Sequence, residues 1–309
     1  MTIFSRRHLF LGAASTALAP AAAKLDRSRF SVPTDEVGPG LEAAIAFARQ
    51  YRLSWVELRL EPGQGYYEAM PAEKLKQTRG RLDDSGLKVS FLNSTLLKFT
   101  YPGTEAIDKE EFYEKQYRAN GWTPESMFRE RNDKLRRALD AAHLLGVNQI
   151  RAFTFWRTRE PRALFPKMAD IFHEMAEEAA KARIRILIES ETATNTATSA
   201  EVADFVQLLP SKAIGINWDP QNSLKFEPDV FPAGYEKLPK KRIGNVQMKA
   251  AGLIGETGHL DWGAIFRRMN RDGYTGRFGL ETHTLKEDGT NVAASHRCLK
   301  EMLRLIGES

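Results

Sequence analysis

Apolar and polar positions along the chain follow two alternating rhythms. Short runs rich in β-branched and aromatic residues, the pattern of buried strands, are separated by stretches in which apolar residues recur every three or four positions, the pattern of amphipathic helices. Strands are expected at 30–32 (FSV), 55–60 (WVELRL), 88–93 (KVSFLN), 149–155 (QIRAFTF), 184–189 (IRILIE), 213–219 (AIGINWD), 243–249 (IGNVQMK) and 277–281 (RFGLE). Helices are expected at 40–48, 72–85, 131–145, 166–182, 199–208 and 261–270, with Gly86 and Gly146 closing two of them. Eight strand-helix alternations in one domain-sized chain predict a (β/α)8 TIM barrel over 24–309. The segment 98–127 breaks the rhythm. It is long for a strand-to-helix loop and mixes Phe99, Tyr101, Phe112, Tyr113, Tyr117 and Trp122 with many charges. Its aromatics argue against simple disorder, so a partly helical insertion over the barrel mouth is expected, serving as a lid or a subunit contact in a homo-oligomer.

Four consecutive runs end on an oxygen-bearing side chain: Glu189, Asp219, Gln247 and Glu281, spaced 30, 28 and 34 residues apart. Taken singly, a carboxylate at a strand end caps the next helix, and Asp219 is the turn residue of an Asp-Pro pair. Taken together on neighbouring parallel strands, the four converge at one end of the sheet. Three carboxylates so close repel one another unless a proton or cation intervenes, and a hard divalent metal is the natural neutraliser. Glu191 competes with Glu189 for the first place, because the motif reads Glu-Ser-Glu.

This constellation resembles the metal set of the sugar phosphate isomerase/epimerase family, the xylose isomerase-like TIM barrels, over residues 29–306. Asn222 after the Asp, Lys249 after the third ligand, the run 260–266 (LDWGAIF) and the turn 273–276 (GYTG) carry the same resemblance. The family's Glu, Asp, His-or-Gln, Glu ligands correspond here to Glu189, Asp219, Gln247 and Glu281, and Glu191 then lies in the following loop, within reach of substrate. The resemblance implies metal-dependent isomerisation or epimerisation of a keto-sugar, cyclitol or related polyol through an enediolate, with Glu189 and Glu281 as the acid/base pair. Gln at position 247 occurs among the family's dehydratases, so a lyase acting on an inosose, a 3-dehydroshikimate or a keto-glycoside is the alternative. An amide oxygen in place of imidazole favours Mn2+ or Mg2+ over Zn2+. The rival from outside enzymology is a carbohydrate-binding barrel without turnover, which has no need of a repulsive carboxylate cluster.

Strand alternation selects further candidates. Lys249 shares the parity of Gln247, and His283 that of Glu281. Arg157, just past the fourth strand, could bind an anionic substrate group, and Arg151 could pair with Glu57 inside the barrel. His259 could reach the substrate from the mouth. Trp218, of opposite parity to Asp219, is expected behind the barrel wall. Trp262, His143, His173 and His296 are expected to be structural.

Composition narrows the setting. With 309 residues, 42% of them hydrophobic, the chain can bury a full core. Residues 1–23 combine Arg6-Arg7, a short apolar run and an Ala-x-Ala ending, which resembles a twin-arginine leader. Export of the folded protein by the twin-arginine machinery to the periplasm or beyond is therefore expected. Loss of a leader holding those two arginines and no acid takes the net charge from +5 to +3, too even a balance to argue for nucleic acid. Nothing from Lys24 onward is long and apolar enough to span a membrane. An exported protein without a phosphate-cradling motif points away from sugar phosphates as substrates. Cys298 is the sole cysteine, so no internal disulfide can form, and its helical setting predicts a buried thiol.

Overall fold

The computed structural model describes residues 25–249, 260–283 and 291–308. The expected leader and His259 lie outside the described residues. Ten strands are present among these residues: β1 (Phe30–Pro33), β2 (Trp55–Leu58), β3 (Leu60–Glu61), β4 (Gly65–Tyr66), β5 (Lys88–Leu96), β6 (Gln149–Ala152), β7 (Arg185–Glu189), β8 (Ile214–Trp218), β9 (Ile243–Gln247) and β10 (Arg277–Gly279). Eight close a parallel barrel in the order β1-β10-β9-β8-β7-β6-β5-β2, and β3 and β4 form a small antiparallel hairpin. The long helices are α1 (Leu41–Gln50), α2 (Ala72–Asp84), α3 (Glu111–Ala119), α4 (Pro124–Arg129), α5 (Arg131–Leu145), α6 (Pro161–Lys181) and α7 (Ser199–Gln207). After the short α8 (Pro220–Ser223) and α9 (Tyr235–Lys237) come α10 (Trp262–Arg271) and α11 (Asn291–Leu305).

Side-chain alternation on the strands divides the barrel into two cores. Outward-facing apolar residues pack against the helices: Phe30 and Phe278 meet Phe266 of α10 at 5.5 and 4.8 Å, and Trp218 meets Tyr235 of α9 at 5.2 Å. Inward-facing positions towards the C-terminal ends of the strands are instead polar and fully buried, among them Glu57, Asn93, Asn217 and Asn245. Each must find hydrogen-bond partners inside the barrel, because an unpaired buried polar group costs about 1–3 kcal/mol.

Of the expected boundaries that shift, three do so for a clear local reason. The second strand stops at Leu58, and Leu60 and Glu61 turn away to pair with Tyr66 and Gly65. The fourth stops at Ala152, because Phe155 adopts a left-handed backbone (φ 58°) and Trp156 bridges to Thr194. The sixth helix begins at Pro161, where a proline suits the first helical position; Pro166 sits inside it, at the loss of one intrahelical bond. The insertion is helical over α3 and α4, and its Phe99, Tyr113, Tyr117 and Met127 are buried while Phe112 and Trp122 are exposed. Tyr117 Oη donates to the Lys98 carbonyl at 2.6 Å, tying the insertion to the end of β5.

Candidate metal and substrate site

Parallel register brings the four candidate ligands to one mouth. Glu189 lies opposite Asn217, Trp218 opposite Val246 and Gln247 opposite Gly279, so Glu189, Asp219, Gln247 and Glu281 follow one another on four adjacent strand ends. All four are buried, with exposures of 0, 0, 0 and 3%.

Each of the four is anchored through one atom and leaves another free. Glu189 Oε2 accepts from Arg151 Nη1 (3.0 Å) and Asn217 Nδ2 (2.6 Å). Asp219 Oδ1 accepts from the Asn222 backbone N–H at 3.0 Å. Gln247 Nε2 donates to Glu57 Oε2 (2.8 Å) and Asn93 Oδ1 (3.2 Å). Both of those atoms accept, so the amide nitrogen faces them and the amide oxygen faces away. Glu281 Oε1 accepts from Arg59 and stands 3.0 Å from His283 Nε2. The remaining oxygens, Glu189 Oε1, Asp219 Oδ2, Gln247 Oε1 and Glu281 Oε2, are buried and have no hydrogen-bond partner. Three carboxylate oxygens and one amide oxygen suit a hard divalent cation.

Two of the four, Glu189 and Glu281, border a cavity of about 410 Å3 that is lined by cations as well as acids: Arg59, Lys98, Arg151 and Lys249 against Glu110, Glu189, Glu191 and Glu281. Lys249 Nζ stands 3.3 Å from Asp219 Oδ2 and 3.6 Å from Glu281 Oε2. Burial lowers the pKa of the Lys249 ammonium, but Glu281, Asp219, Glu191 and Glu189 outweigh it and hold the group well above the usual lysine range. Burial also pushes Asp219 up to about 7, with Lys249 pulling down and Glu189 and Glu281 adding to the rise. Glu281 goes the other way: burial raises it, but Lys249, His283 and Arg59 together hold it well below the usual carboxylate range. His283, whose side chain is 43% exposed, is lowered by burial but raised more by Glu281 and Glu36, reaching about 9. With no ion on Glu281, that shift favours the imidazolium, a donor, over a general base at neutral pH.

A second acidic group stands beside the first. Glu36, Glu281 and His283 lie close enough to share an ion. Their atoms are already taken, with His283 Nδ1 2.7 Å from Glu36 Oε1 and Arg59 Nη2 2.6 Å from the same oxygen. A metal there would have to displace two cations, so this trio reads as an ion-pair network.

The other candidates divide. Lys249, His283, Asn222 and Glu191 line the cavity. Arg157 does not reach it: its guanidinium is bound by both oxygens of Glu201, at 2.8 and 3.1 Å, and by the Thr194 carbonyl. Glu201 belongs to the capping box that starts α7, so Arg157 braces a helix end. Arg151 pairs with Glu189 and not with Glu57, which is held by Ser31, Asn93 and Gln247. The sequence reading missed Arg59, Glu36, Lys98, Glu110 and Tyr113. Arg59 shares the parity of Glu57 at the end of its strand, a signal that could have placed it. For the insertion the sequence signalled the segment, 98–127 over the mouth with Tyr113 among its aromatics, but not which side chains reach the cavity, because their approach depends on tertiary packing.

The sequence matches the model of the family described as xylose isomerase-like TIM barrel over residues 45–302. Among solved structures, a D-allulose 3-epimerase from Methylomonas sp., crystallised with D-allulose, is similar at 17% identity and TM-score 0.65, covering 91% of this chain and 98% of that one. An L-ribulose 3-epimerase is similar at 16% identity and TM-score 0.67, covering 91% and 95%. A 3-keto-D-glucoside 4-epimerase from E. coli, in its apo form, gives 14% identity and TM-score 0.64, covering 89% and 98%. At such identities the likeness is one of fold. No curated protein matches the sequence.

Proposed function

The chain belongs to the xylose isomerase-like TIM barrel family, and from that premise we propose that it is a divalent-metal-dependent isomerase or epimerase of a keto-sugar or related polyol. The observation that carries the reading is the set of four buried, unpartnered oxygens on Glu189, Asp219, Gln247 and Glu281. Buried acceptors without a hydrogen bond are rare; the Lys249 ammonium faces two of these, Asp219 Oδ2 at 3.3 Å and Glu281 Oε2 at 3.6 Å, and four on adjacent strand ends favour a shared divalent cation that Lys249 would yield to. These residues would hold Mn2+ or Mg2+ in preference to Zn2+. A bound ion would supply Lewis-acid polarisation of neighbouring substrate oxygens.

The chain's own groups supply the rest. Glu189 and Glu281 exchange a proton at the carbon beside the carbonyl, one removing it and the other returning it. Glu281, held below the usual carboxylate range, stays ionised at neutral pH and can accept one. Lys249, Asn222 and Glu191 offer donors and an acceptor to sugar hydroxyls, and the His283 imidazolium offers a further donor. The insertion contributes Glu110 and Tyr113 to the cavity wall, which supports its reading as a lid. Export of the folded protein is part of the proposal on the sequence pattern of 1–23, Arg6-Arg7 followed by a short apolar run and an Ala-x-Ala ending.

A lyase is the second reading, favoured by the same imidazolium: an acid beside Glu281 is placed to protonate a departing hydroxyl. Both readings predict exchange of solvent deuterium into the carbon next to a ketone, measured on a panel of keto-sugars and cyclitols with Mn2+-loaded protein. Only the lyase also releases water or an alcohol. Glu281→Gln should lower exchange by about 10²–10⁴-fold. No exchange on any member of the panel, or full exchange in the variant, would overturn the proposal.

A further inference from the structure

The opposite mouth of the barrel, where the strands begin, carries a cavity of about 310 Å3 lined by Trp55, Ser90, Asn148, Gln149, Arg185 and Arg277, with no acidic residue in its wall. Arg242 and Arg29 stand close behind. Arg185 Nη2 donates to the Arg242 carbonyl (3.2 Å), and Arg29 donates to the carbonyls of Gly276 and Tyr274 (2.9 and 2.7 Å). Four guanidinium groups thus gather where backbone carbonyls are their acceptors. Carbonyls satisfy donors without cancelling charge. Among the described residues none of Arg29, Arg185, Arg242 and Arg277 has a carboxylate within 4.0 Å. Burial holds all four below the usual guanidinium range, and repulsion between Arg29 and Arg277, and between Arg185 and Arg242, adds to it.

Donors are also left over. Arg277 Nε, on a residue of the cavity wall, and Arg29 Nη1, on a residue behind it, are buried without a hydrogen-bond partner. The Arg277 guanidinium stacks 4.3 Å over the Trp55 ring, which fixes its plane beside the cavity, and Lys88 Nζ lies 5.7 Å from the same ring. Gly215 leaves room for this arrangement: a Cβ there would lie 2.4 Å from Arg185 Nη2. Guanidinium charge with no carboxylate against it, and room beside two of the arginines, make a receptor for a compact anion.

We infer that the strand-start mouth is a second ligand site, which takes a phosphate-type oxyanion, free or as a monoester, between Arg185 and Arg277. A dianion matches the two lining cations, and the space beyond a single phosphate leaves room for the body of an ester. The site lies at the other end of the barrel from the carboxylate cluster and does not depend on the reading proposed for that cluster.

The test titrates metal-free protein with inorganic phosphate by calorimetry, against chloride at matched ionic strength. Saturable binding to one site is expected, weakened at least tenfold in the Arg185→Gln, Arg277→Gln double variant and changed less than threefold in Lys249→Gln. In the wild type, phosphate should slow hydrogen exchange at 88–90 and 275–277, a readout that stands even if the double variant fails to fold. Glycerol phosphate separates the sources: tighter binding than phosphate assigns an esterified metabolite, and equal binding assigns the free ion. Absence of saturable binding, unchanged exchange at those amides, or weakening by Lys249→Gln in place of the arginine variant would overturn the inference.

Discussion

The two mouths of this barrel are built on opposite principles. At the strand ends, cations and acids alternate and pair, and what is left over is acceptor oxygens, four of them on adjacent strand ends. At the strand starts, arginines gather without carboxylates, and what is left over is uncancelled positive charge. The first mouth asks for a cation and the second for an anion. The difference teaches that charge alone does not identify a site: the mixed mouth is the one that a count of charges would pass over. What marks the first is unpartnered atoms gathered on adjacent strand ends, and what marks the second is cations gathered without acids.

Truncating one arginine at each mouth should show the contrast most strongly. Arg151 is the buried partner of Glu189, at 3.0 Å, and Arg151→Met leaves that carboxylate buried beside no cation. Breaking such a pair costs about 3–5 kcal/mol. Urea unfolding of metal-free protein should show a loss of that size, partly restored by saturating Mn2+. Arg277 donates to one carbonyl and stacks on Trp55, so Arg277→Met should cost about 1 kcal/mol, a neutral hydrogen bond's worth. Equal losses would remove the distinction between the mouths.

Acidity should separate them next. Asp219, pushed up to about 7 by burial, must lose its proton before it can ligate. Below pH 7 the proton competes with the metal, so Mn2+ affinity should fall by up to about tenfold per pH unit there and level off above. The arginines opposite do not titrate in this range, so phosphate binding should follow only the ionisation of phosphate itself. Calorimetry at pH 5.5, 6.5 and 7.5 checks both. A flat metal profile would contradict a proton held on Asp219 near neutral pH in the metal-free protein.

The barrel and its first mouth were legible in the sequence because period and parity are local properties. A strand that must bury one face declares which residues point inward, and the regular return of an oxygen-bearing side chain at four strand ends needs no knowledge of packing. Arg157 was misplaced because parity fixes a direction and not a partner: Glu201, forty-four positions on, takes its fork. Arg151 went to Glu189 for the same reason, since Glu57 already accepts from Ser31, Asn93 and Gln247. Lys98, Glu110 and Tyr113 come to the cavity through the packing of α3 and could not be read from any repeat. The arginine mouth was invisible because its residues stand at strand starts, four different ones, where no motif spacing links them.

The central claim is that four oxygens, one each from Glu189, Asp219, Gln247 and Glu281, share one divalent ion. Calorimetric titration of chelator-treated protein with Mn2+ and Mg2+ near pH 7.5 tests it directly, in the wild type, in an Asp219→Ala, Glu281→Gln double variant and in Glu36→Gln. The account predicts one ion per chain, tight binding in the wild type, its loss in the double variant, and an affinity within threefold of wild type in Glu36→Gln. No tight binding to the wild type, equal binding in the double variant, or loss of binding in Glu36→Gln, which would move the ion to the trio with His283, would contradict it.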